Sequence, residues 1–289
     1  MREELQYSIN CNGYLMDLSI PRIMGILNVT PDSFYAESRK QTEEDIMART
    51  KQILEEGADI IDIGACSTRP GADCPDEYEE MRRLHSALHP LRDAFPDAVV
   101  SVDTFRASVA KMCVEEYHAD IINDISGGQF DDKMFETVAQ LGVPYILTHT
   151  KGTPAHMQDS PHYDDLMHEI LTYFAEKVQM LRDRGQKDII IDPGFGFGKT
   201  LAHNYMLLNQ LEQLHLLELP ILVGVSRKRM IYNLLGTTPE HSLNGTTVVN
   251  TIALTKGASI LRVHDVKAAK ECIDIYNKTL SSIADKDLG

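Results

Sequence analysis

The sequence lacks a long apolar stretch and is short of basic charge. No run approaches the roughly 20 apolar residues of a membrane-spanning helix, and the start, MREELQYSINCNG, is acidic and polar where a signal peptide has an apolar core. We therefore expect a cytoplasmic protein. The 289 residues include 28 Lys and Arg against 43 Asp and Glu, a formal net charge of −15. This balance argues against a nucleic-acid or acidic-membrane partner, which would need clustered Lys and Arg.

Recognisable cysteine motifs and linker tracts are also missing. The five cysteines are odd in number and contain no CxxC pair, so we expect free thiols and no zinc site. No HExxH motif and no Ser/His/Asp ordering supports a metalloprotease or a serine hydrolase. Because no Pro/Gly/Ser-rich or low-complexity segment interrupts the chain, we predict one domain over residues 1–289.

Eight short apolar runs each stop at a polar or glycine residue. They are too short for helices and lie roughly 15–35 residues apart, which is typical of parallel strands covered by crossover helices. Eight such units predict a closed (β/α)8 TIM barrel with its functional site at the carboxyl ends of the strands. The runs are Arg22–Leu27, Asp59–Ile63, Ala98–Val102, Asp120–Ile122, Val143–Leu147, Asp188–Ile191, Pro220–Val225 and Ala258–Leu261.

The remaining patterns predict a hairpin and eight helices. Residues 6–20 alternate apolar and polar around Asn12-Gly13, which favours a short N-terminal β-hairpin at the bottom of the barrel. A capping-box pattern at Thr42 starts the first helix, and Gly57 ends it. The other helices are expected at about 76–94, 105–117, 131–141, 162–184, 201–217, 242–256 and 266–284.

Three hydrogen-bonding residues end predicted strands and should meet at one rim. Asp103, Asn123 and Asp192 suit a heterocycle with adjacent N–H donors, because a carboxylate accepts two parallel hydrogen bonds from an amino-pyrimidinone edge. The alternative is that each residue caps a helix or braces a loop.

A second group of candidate residues follows the first, seventh and eighth predicted strands. Arg262 and His264 follow the eighth strand and Asn28 ends the first, its neighbour in a closed barrel. A guanidinium, an imidazole and an amide there predict a phosphate or diphosphate pocket. After the seventh strand, Lys228 is the stronger functional candidate, whereas Ser226 could be only a helix cap.

The segment from Asp192 to Thr200, DPGFGFGKT, resembles a nucleotide-binding loop only superficially. Its glycine spacing fits neither the Walker A motif nor the Rossmann motif. We interpret it as a ligand-contacting loop whose glycines admit a flat ligand, with Phe197 as a ring wall.

Seven collinear motifs lie between about residues 22 and 267. They are NVTPDSF from Asn28, DIGACSTRPG from Asp62, SVDT from Ser101, INDISGG from Ile122, DPGFGFGK from Asp192, SRK from Ser226 and RVHDV from Arg262. Together they resemble the dihydropteroate synthase family. The resemblance implies condensation of 6-hydroxymethyl-7,8-dihydropterin diphosphate with p-aminobenzoate, with Mg²⁺ assisting, in a homodimeric enzyme of folate biosynthesis that sulfonamides inhibit.

The resemblance also implies roles for residues in these motifs. The pterin would be held by Asp103, Asn123, Asp192, Lys228 and Arg262, and the diphosphate by Asn28, Thr68, Arg69, Arg262 and His264, with Asn28 also next to the metal. The p-aminobenzoate pocket would contain Phe34, Arg69, Pro70, Phe197, Ser226 and Lys228. The catalytic set would be Thr68, Arg69, Lys228, Arg262 and His264.

Two departures from the family pattern leave alternatives open. The first loop continues Tyr35-Ala36-Glu37 where the family has Ser-Asp-Gly, and Thr148-His149-Thr150 stands where many members have Met-His-Met. The second change makes the pterin side of the pocket more polar. The alternatives are a pterin-binding methyltransferase barrel and a non-catalytic barrel homologue. Isothermal titration with the pterin diphosphate, followed by a turnover assay, separates the three hypotheses.

Overall fold

A computed structural model describes residues 6–29, 38–66, 74–152 and 161–284. It confirms the predicted barrel and hairpin. Eight parallel strands form one sheet, and an isolated parallel bridge from Ile191 to Ile221 brings its two edge strands together. In chain order the barrel strands are β3 (Arg22–Asn28), β4 (Ile60–Gly64), β5 (Val100–Asp103), β6 (Ile121–Asp124), β7 (Tyr145–Thr148), β8 (Ile189–Asp192), β9 (Leu222–Val223) and β10 (Ile260–Val263).

The helices largely follow the predicted positions. They are α1 (Ser38–Glu55), α2 (Glu77–Ala94), α3 (Ala107–Tyr117), α4 (Met134–Leu141), α5 (Leu166–Asp183), α6 (Leu201–Asn209), α7 (Arg229–Leu235), α8 (Leu243–Thr255) and α9 (Val266–Ala284). The single helix expected at 201–217 is wrong, because α6 ends at Asn209 and a 3-10 helix covers Leu211–Leu217. The sequence analysis also missed α7, which spans only seven residues before Gly236 adopts a left-handed conformation.

The N-terminal hairpin closes the bottom of the barrel. Its strands, β1 (Ser8–Cys11) and β2 (Tyr14–Asp17), pair antiparallel across Asn12 and Gly13, whose φ angles of 49° and 94° are those of the predicted tight turn. Apolar side chains from the hairpin pack with the lowest inward-facing residues of the barrel strands. That cluster comprises Ile9, Cys11, Met16, Leu18, Met24, Ile60, Ile121, Ile146, Ile190, Leu222 and Ile260.

The next layer of inward-facing side chains, toward the carboxyl ends of the strands, is mostly polar. Because side chains alternate between the two faces of a strand, the inward positions two residues after the apolar layer share one level. This second layer contains one apolar residue, Ile26 on β3, and otherwise Asp62, Ser101, Asn123, Thr148, Asp192, Gly224 and Arg262. The barrel is therefore closed and apolar at its amino end, and it turns polar toward the face where the loops begin.

The expectation that all cysteines are free is wrong. Cys66 and Cys74 form a disulfide, with their Cα atoms 5.1 Å apart, while Cys11, Cys113 and Cys272 are free and buried. The pairing joins the end of β4 to the chain just before α2. The odd number of cysteines and the missing CxxC motif do not predict this disulfide, because the distance between two cysteines that are eight residues apart depends on the conformation of the chain.

Candidate active site

Asp62 lies at the centre of the polar layer. Its carboxylate is fully buried, and it accepts hydrogen bonds from three different strands. Ser101 Oγ donates to Oδ1 at 2.7 Å, whereas Asn123 Nδ2 and Arg262 Nε donate to Oδ2 at 3.1 Å and 2.6 Å. One carboxylate thus connects the amide and the guanidinium that the sequence placed in the pterin site.

Arg262 joins Asp62 to Asp103. Its Nη2 donates to Asp103 Oδ2 at 2.7 Å, so one guanidinium bridges two carboxylates. Burial raises the pKa of Asp103 to about 7, even though the nearby Arg262 charge acts in the opposite direction and favours the carboxylate. Burial thus favours the neutral carboxyl at Asp103, and the contact with Arg262 favours the carboxylate.

Asp192 and Lys228 form the other side of the layer. Asp192 Oδ1 accepts the Gly194 N–H at 2.8 Å, and burial raises the pKa of this carboxyl while the Lys228 charge lowers it. Lys228 donates to the Phe195 carbonyl and lies 4.5 Å from the centre of the Phe197 ring. Burial lowers the pKa of Lys228 to about 8. The ammonium is thus placed between a carboxylate and an aromatic surface.

Lys199 holds the loop after β8 in place. Its buried ammonium donates to His149 Nδ1 at 2.8 Å and to the carbonyls of Gly194 and Phe197 at 3.0 Å and 3.1 Å. All three ammonium donors are used within the protein, which agrees with the view that this loop is not a Walker A phosphate site. Burial lowers the pKa of Lys199 to about 7.

Gly194 is required where this loop passes the end of β7. Its φ is +69°, and a Cβ atom would lie 1.9 Å from the His149 carbonyl oxygen. No L side chain fits such a contact between two backbones. The glycine therefore lets the loop carrying Phe197 close against β7.

Only some of the residues that we expect to bind the diphosphate lie together in the structure. His264 Nδ1 lies 3.0 Å from Ser226 Oγ, which connects the ends of β10 and β9. Asn28 ends β3 with an exposed side chain, and its pairing partner on β4 is Gly64. Arg262, however, has its Nε and Nη2 directed at carboxylates within the pterin group.

Several predicted residues lie outside the described part of the chain. These are Phe34, Glu37, Thr68, Arg69 and Pro70. Their roles therefore remain predictions from the family resemblance.

The unusual Thr148 lies in the polar layer beside Asp192, its pairing partner on β8. Its side chain is fully buried, and its hydroxyl has no hydrogen-bond partner among the residues that the structure describes. The Thr148 hydroxyl therefore adds a polar atom inside the barrel, where solvent does not reach it.

Asp62, Ser101 and Lys199 were missing from the residues predicted for the site. Asp62 and Ser101 belong to the apolar runs that become β4 and β5, and only alternation along those strands places them on the inward face. Lys199 belongs to the DPGFGFGK motif, but the spacing of the glycines there does not indicate that the Lys199 ammonium turns inward.

Two absences among the described residues bear on metal and membrane binding. Within 6–29, 38–66, 74–152 and 161–284, no three His, Cys, Asp or Glu side chains are grouped so that they could hold a metal ion. Over the same described ranges, no helix is long and apolar enough to cross a membrane.

Comparison with known proteins identifies the family. The family described as "Pterin binding enzyme" matches residues 24–264. Dihydropteroate synthase of Escherichia coli K12 is 40% identical over 276 residues, which cover 95% of this chain and 97% of the relative. The Haemophilus influenzae enzyme is 37% identical over 273 residues, covering 94% and 98%.

Solved structures agree with these relatives. Dihydropteroate synthase of Yersinia pestis in a sulfonamide drug complex superimposes with a TM-score of 0.89 at 42% identity, covering 95% of this chain and 100% of that one. The Xanthomonas albilineans enzyme with 4-aminobenzoic acid gives 0.87 at 37% identity, covering 95% and 98%. The chain therefore belongs to the dihydropteroate synthase family of pterin-binding enzymes.

Proposed function

We propose that this chain condenses 6-hydroxymethyl-7,8-dihydropterin diphosphate with p-aminobenzoate to form 7,8-dihydropteroate and diphosphate. The observation that carries the proposal is the buried polar layer at the carboxyl ends of the strands. Asp62, Asn123, Asp192 and Arg262 belong to that layer, and Asp103 and Lys228 lie next to it at the ends of their strands.

The pterin is recognised by groups with matching hydrogen-bond character. The amino-pyrimidinone edge offers adjacent N–H donors, and Asp192 supplies a buried carboxylate as acceptor. Asn123 supplies an amide, and Lys228 supplies a donor for a carbonyl or ring nitrogen. The planar guanidinium of Arg262, held by two carboxylates, suits stacking against the flat ring.

The leaving group is bound at the neighbouring strand ends. Arg262 uses Nε and one Nη2 donor on Asp62 and Asp103, and a guanidinium has five N–H donors in all. The remaining donors, the His264 imidazole and the Asn28 amide form the diphosphate site of the proposal. Thr68 and Arg69 complete it by resemblance to the family.

The p-aminobenzoate lies against the loop after β8 in this proposal. Phe197 offers a ring surface next to the Lys228 ammonium, which can attract a carboxylate, and Ser226 lies at the end of the neighbouring strand. Phe34, Arg69 and Pro70 belong to the same pocket by resemblance. The Xanthomonas albilineans structure was solved with 4-aminobenzoic acid, which supports this class of substrate.

The chemistry needs charge stabilisation more than a strong base. The bond between the pterin methylene carbon and the diphosphate oxygen breaks, and the electron-rich dihydropterin stabilises the resulting cation. The neutral arylamine nitrogen then forms the new C–N bond and loses a proton. The protein has to bind both reactants in line, exclude water and stabilise the departing negative charge.

A magnesium ion fits the residues at the diphosphate site. Asn28 provides an exposed amide oxygen at the end of β3. Mg²⁺ prefers oxygen ligands and commonly keeps several waters while binding one or two protein groups and substrate phosphates. Asn28 would hold the ion in this proposal, and the bound ion would offset negative charge on the diphosphate.

The proposal includes a homodimer in the cytoplasm. Large apolar side chains are exposed on three successive helices, including Leu234 and Leu235 on α7, Val248 on α8 and Ile275 on α9. Exposed apolar surface of this kind is typical of protein interfaces. Closed two-fold dimers are the commonest arrangement for identical chains.

A diphosphate-release assay tests the function. With both substrates present, we expect diphosphate and dihydropteroate in equal amounts, and we expect a sulfonamide to compete with p-aminobenzoate. A methyltransferase barrel would bind the pterin without releasing diphosphate in response to p-aminobenzoate. A non-catalytic homologue would give no turnover, and either result would overturn the proposal.

A further inference from the structure

Asp62 accepts hydrogen bonds from Ser101, Asn123 and Arg262, which come from three different strands. We propose that Asp62 is a positioning residue, whose carboxylate fixes the Asn123 amide and the Arg262 guanidinium in the orientations that receive the pterin diphosphate. This inference rests on the proposed function. It assigns to Asp62 a role that acts through its two neighbours and not through contact with the substrate.

The geometry at Asp62 leaves little freedom to its partners. Asn123 Nδ2 and Arg262 Nε meet on the same oxygen, Oδ2, while Ser101 Oγ donates to Oδ1. An ionised carboxylate only accepts hydrogen bonds, so each partner must turn a donor toward it. Because Asn123 Nδ2 donates to Asp62, the amide oxygen of Asn123 is turned away from that carboxylate and can accept a hydrogen bond from a pterin N–H.

Arg262 is held at two points, which sets the plane of its guanidinium. Nε pairs with Asp62 and Nη2 pairs with Asp103, at 2.6 Å and 2.7 Å. A planar group fixed through two of its nitrogen atoms presents a defined face for stacking and a defined edge for an anion. Without Asp62, Asp103 alone would hold the guanidinium, which could then rotate about that single contact.

The site is fully enclosed where Asp62 lies. Asp62 and Ser101 are both fully buried, and Asn123 is nearly so. Hydrogen bonds to a charged acceptor away from water are strong, and breaking them leaves unpaired donors. The carboxylate can therefore fix the orientation of its partners before a ligand arrives.

The test compares Asp62→Asn with Asp188→Asn. Asn has the same shape as Asp, and it can keep an oxygen toward Asn123 and Arg262 while its NH2 donates to the Ser101 hydroxyl. The charge that holds the guanidinium is lost. We expect kcat/KM for the pterin diphosphate to fall by about tenfold or more. The KM for p-aminobenzoate should stay within about twofold. Asp188→Asn makes the same change outside the site, at the amino end of β8, where Asp188 accepts the Asn10 N–H at 3.2 Å, so it should leave both parameters near those of the parent.

The pH profile provides a readout that a merely structural role would not change. Asp103 is faced by the charges of Asp62, Arg262, Asp124, Asp192 and Lys228. The negative charge of Asp62 raises the pKa of Asp103, so removing it should move the acid limb of kcat/KM for the pterin diphosphate to lower pH. Asp62→Glu keeps the charge but displaces it, so it should reduce kcat/KM and leave the acid limb in place.

The outcomes separate this inference from the proposed function. If the parent enzyme releases no diphosphate, the proposed function fails. If the parent is active and Asp62→Asn matches it in kcat/KM and pH profile, the positioning role is overturned. Equal losses for both substrates, or equal losses in Asp188→Asn, would also overturn it. Should Asp62→Asn not fold, Asp62→Glu decides: unchanged kcat/KM for the pterin diphosphate would contradict the role.

Discussion

The residues predicted to bind the pterin illustrate how far single positions can be predicted. Asp103, Asn123 and Asp192 were predicted because each ends an apolar run, and the structure places all three on the inward face of the barrel. Asp62 was missed because it lies inside such a run. Whether a polar residue within a buried strand faces the barrel or the helices depends on the phase of the alternation, which short apolar runs do not display.

Asp192→Asn should weaken binding of the pterin diphosphate by about 2–4 kcal/mol, because it removes a charged acceptor from a buried site. Asp188→Asn is the matched control, since it makes the same change in an accessible residue just before the same strand, where Asp188 accepts the Asn10 N–H. Isothermal titration with the pterin diphosphate measures both variants. Equal affinity in the two variants would remove Asp192 from the site.

Thr148→Val should stabilise the protein by about 1 kcal/mol, because it removes a buried hydroxyl without a partner among the described residues. Thr104→Val is the contrast. Thr104 Oγ1 donates to the buried Glu80 carboxylate at 2.7 Å, so its loss should destabilise the fold by about 1–3 kcal/mol. Urea unfolding gives both free energies, and a destabilised Thr148→Val would show that the hydroxyl is bonded, for example through water.

At the scale of elements, the strands were easier to predict than their connections. All eight apolar runs became barrel strands, because a strand buried on both faces has a distinctive composition. The segment 201–217 looked like one helix, since its apolar spacing continues across Gln210, where the backbone leaves the helical conformation at φ −111°. Likewise, the pairing of Cys66 with Cys74 depends on the distance between the two residues in the fold, which their spacing of eight in the sequence does not determine.

The loop after β8 provides a test at this scale. Gly194 and Gly196 both have positive φ angles, of +69° and +83°, so an alanine at either costs about 1–2 kcal/mol from the backbone alone. At Gly194 the new Cβ would also lie 1.9 Å from a carbonyl, whereas at Gly196 the nearest described atom is Lys228 Cδ at 3.5 Å. Gly194→Ala should therefore be clearly less stable than Gly196→Ala in thermal unfolding.

Activity should follow the same order, because the Gly194 N–H donates to Asp192. Displacing that amide disturbs a carboxylate that the proposal assigns to the pterin. Variants of equal stability and equal activity would contradict the close packing of this loop against β7.

At the scale of the whole molecule, the (β/α)8 barrel could be predicted because its pattern repeats eight times. The hairpin was predictable as well, because Asn12-Gly13 is a strong local turn signal. The distribution of charge inside the barrel was not. Two carboxylates bridged by one guanidinium become neighbours only when β4, β5 and β10 assemble, and their sequence separations of 200 and 159 residues from Arg262 give no hint of contact.

The proposed dimer is also tested at the scale of the whole molecule. We expect light scattering after size exclusion to show two chains per particle, and Ile252→Asp on α8 to shift the particle toward a single chain, since a charge replaces a half-exposed apolar side chain. Leu15→Asp is the control, because Leu15 is equally apolar and 66% exposed but belongs to the N-terminal hairpin. A monomeric parent, or equal behaviour of both variants, would contradict the proposed dimer.

The central claim is that the polar carboxyl end of the barrel binds the pterin diphosphate. The molecule offers a rival location at the other end, a cleft of about 970 Å³ beside the hairpin that is lined by residues including Met16, Leu54, Arg92 and Tyr117. A crystal structure of the complex with the pterin diphosphate is the most direct test. We predict that the pterin ring meets Asn123 and Asp192, with its diphosphate toward Arg262 and His264. A pterin bound in the cleft beside the hairpin, or one at the carboxyl end with its amino-pyrimidinone edge turned away from Asp192, would contradict the account.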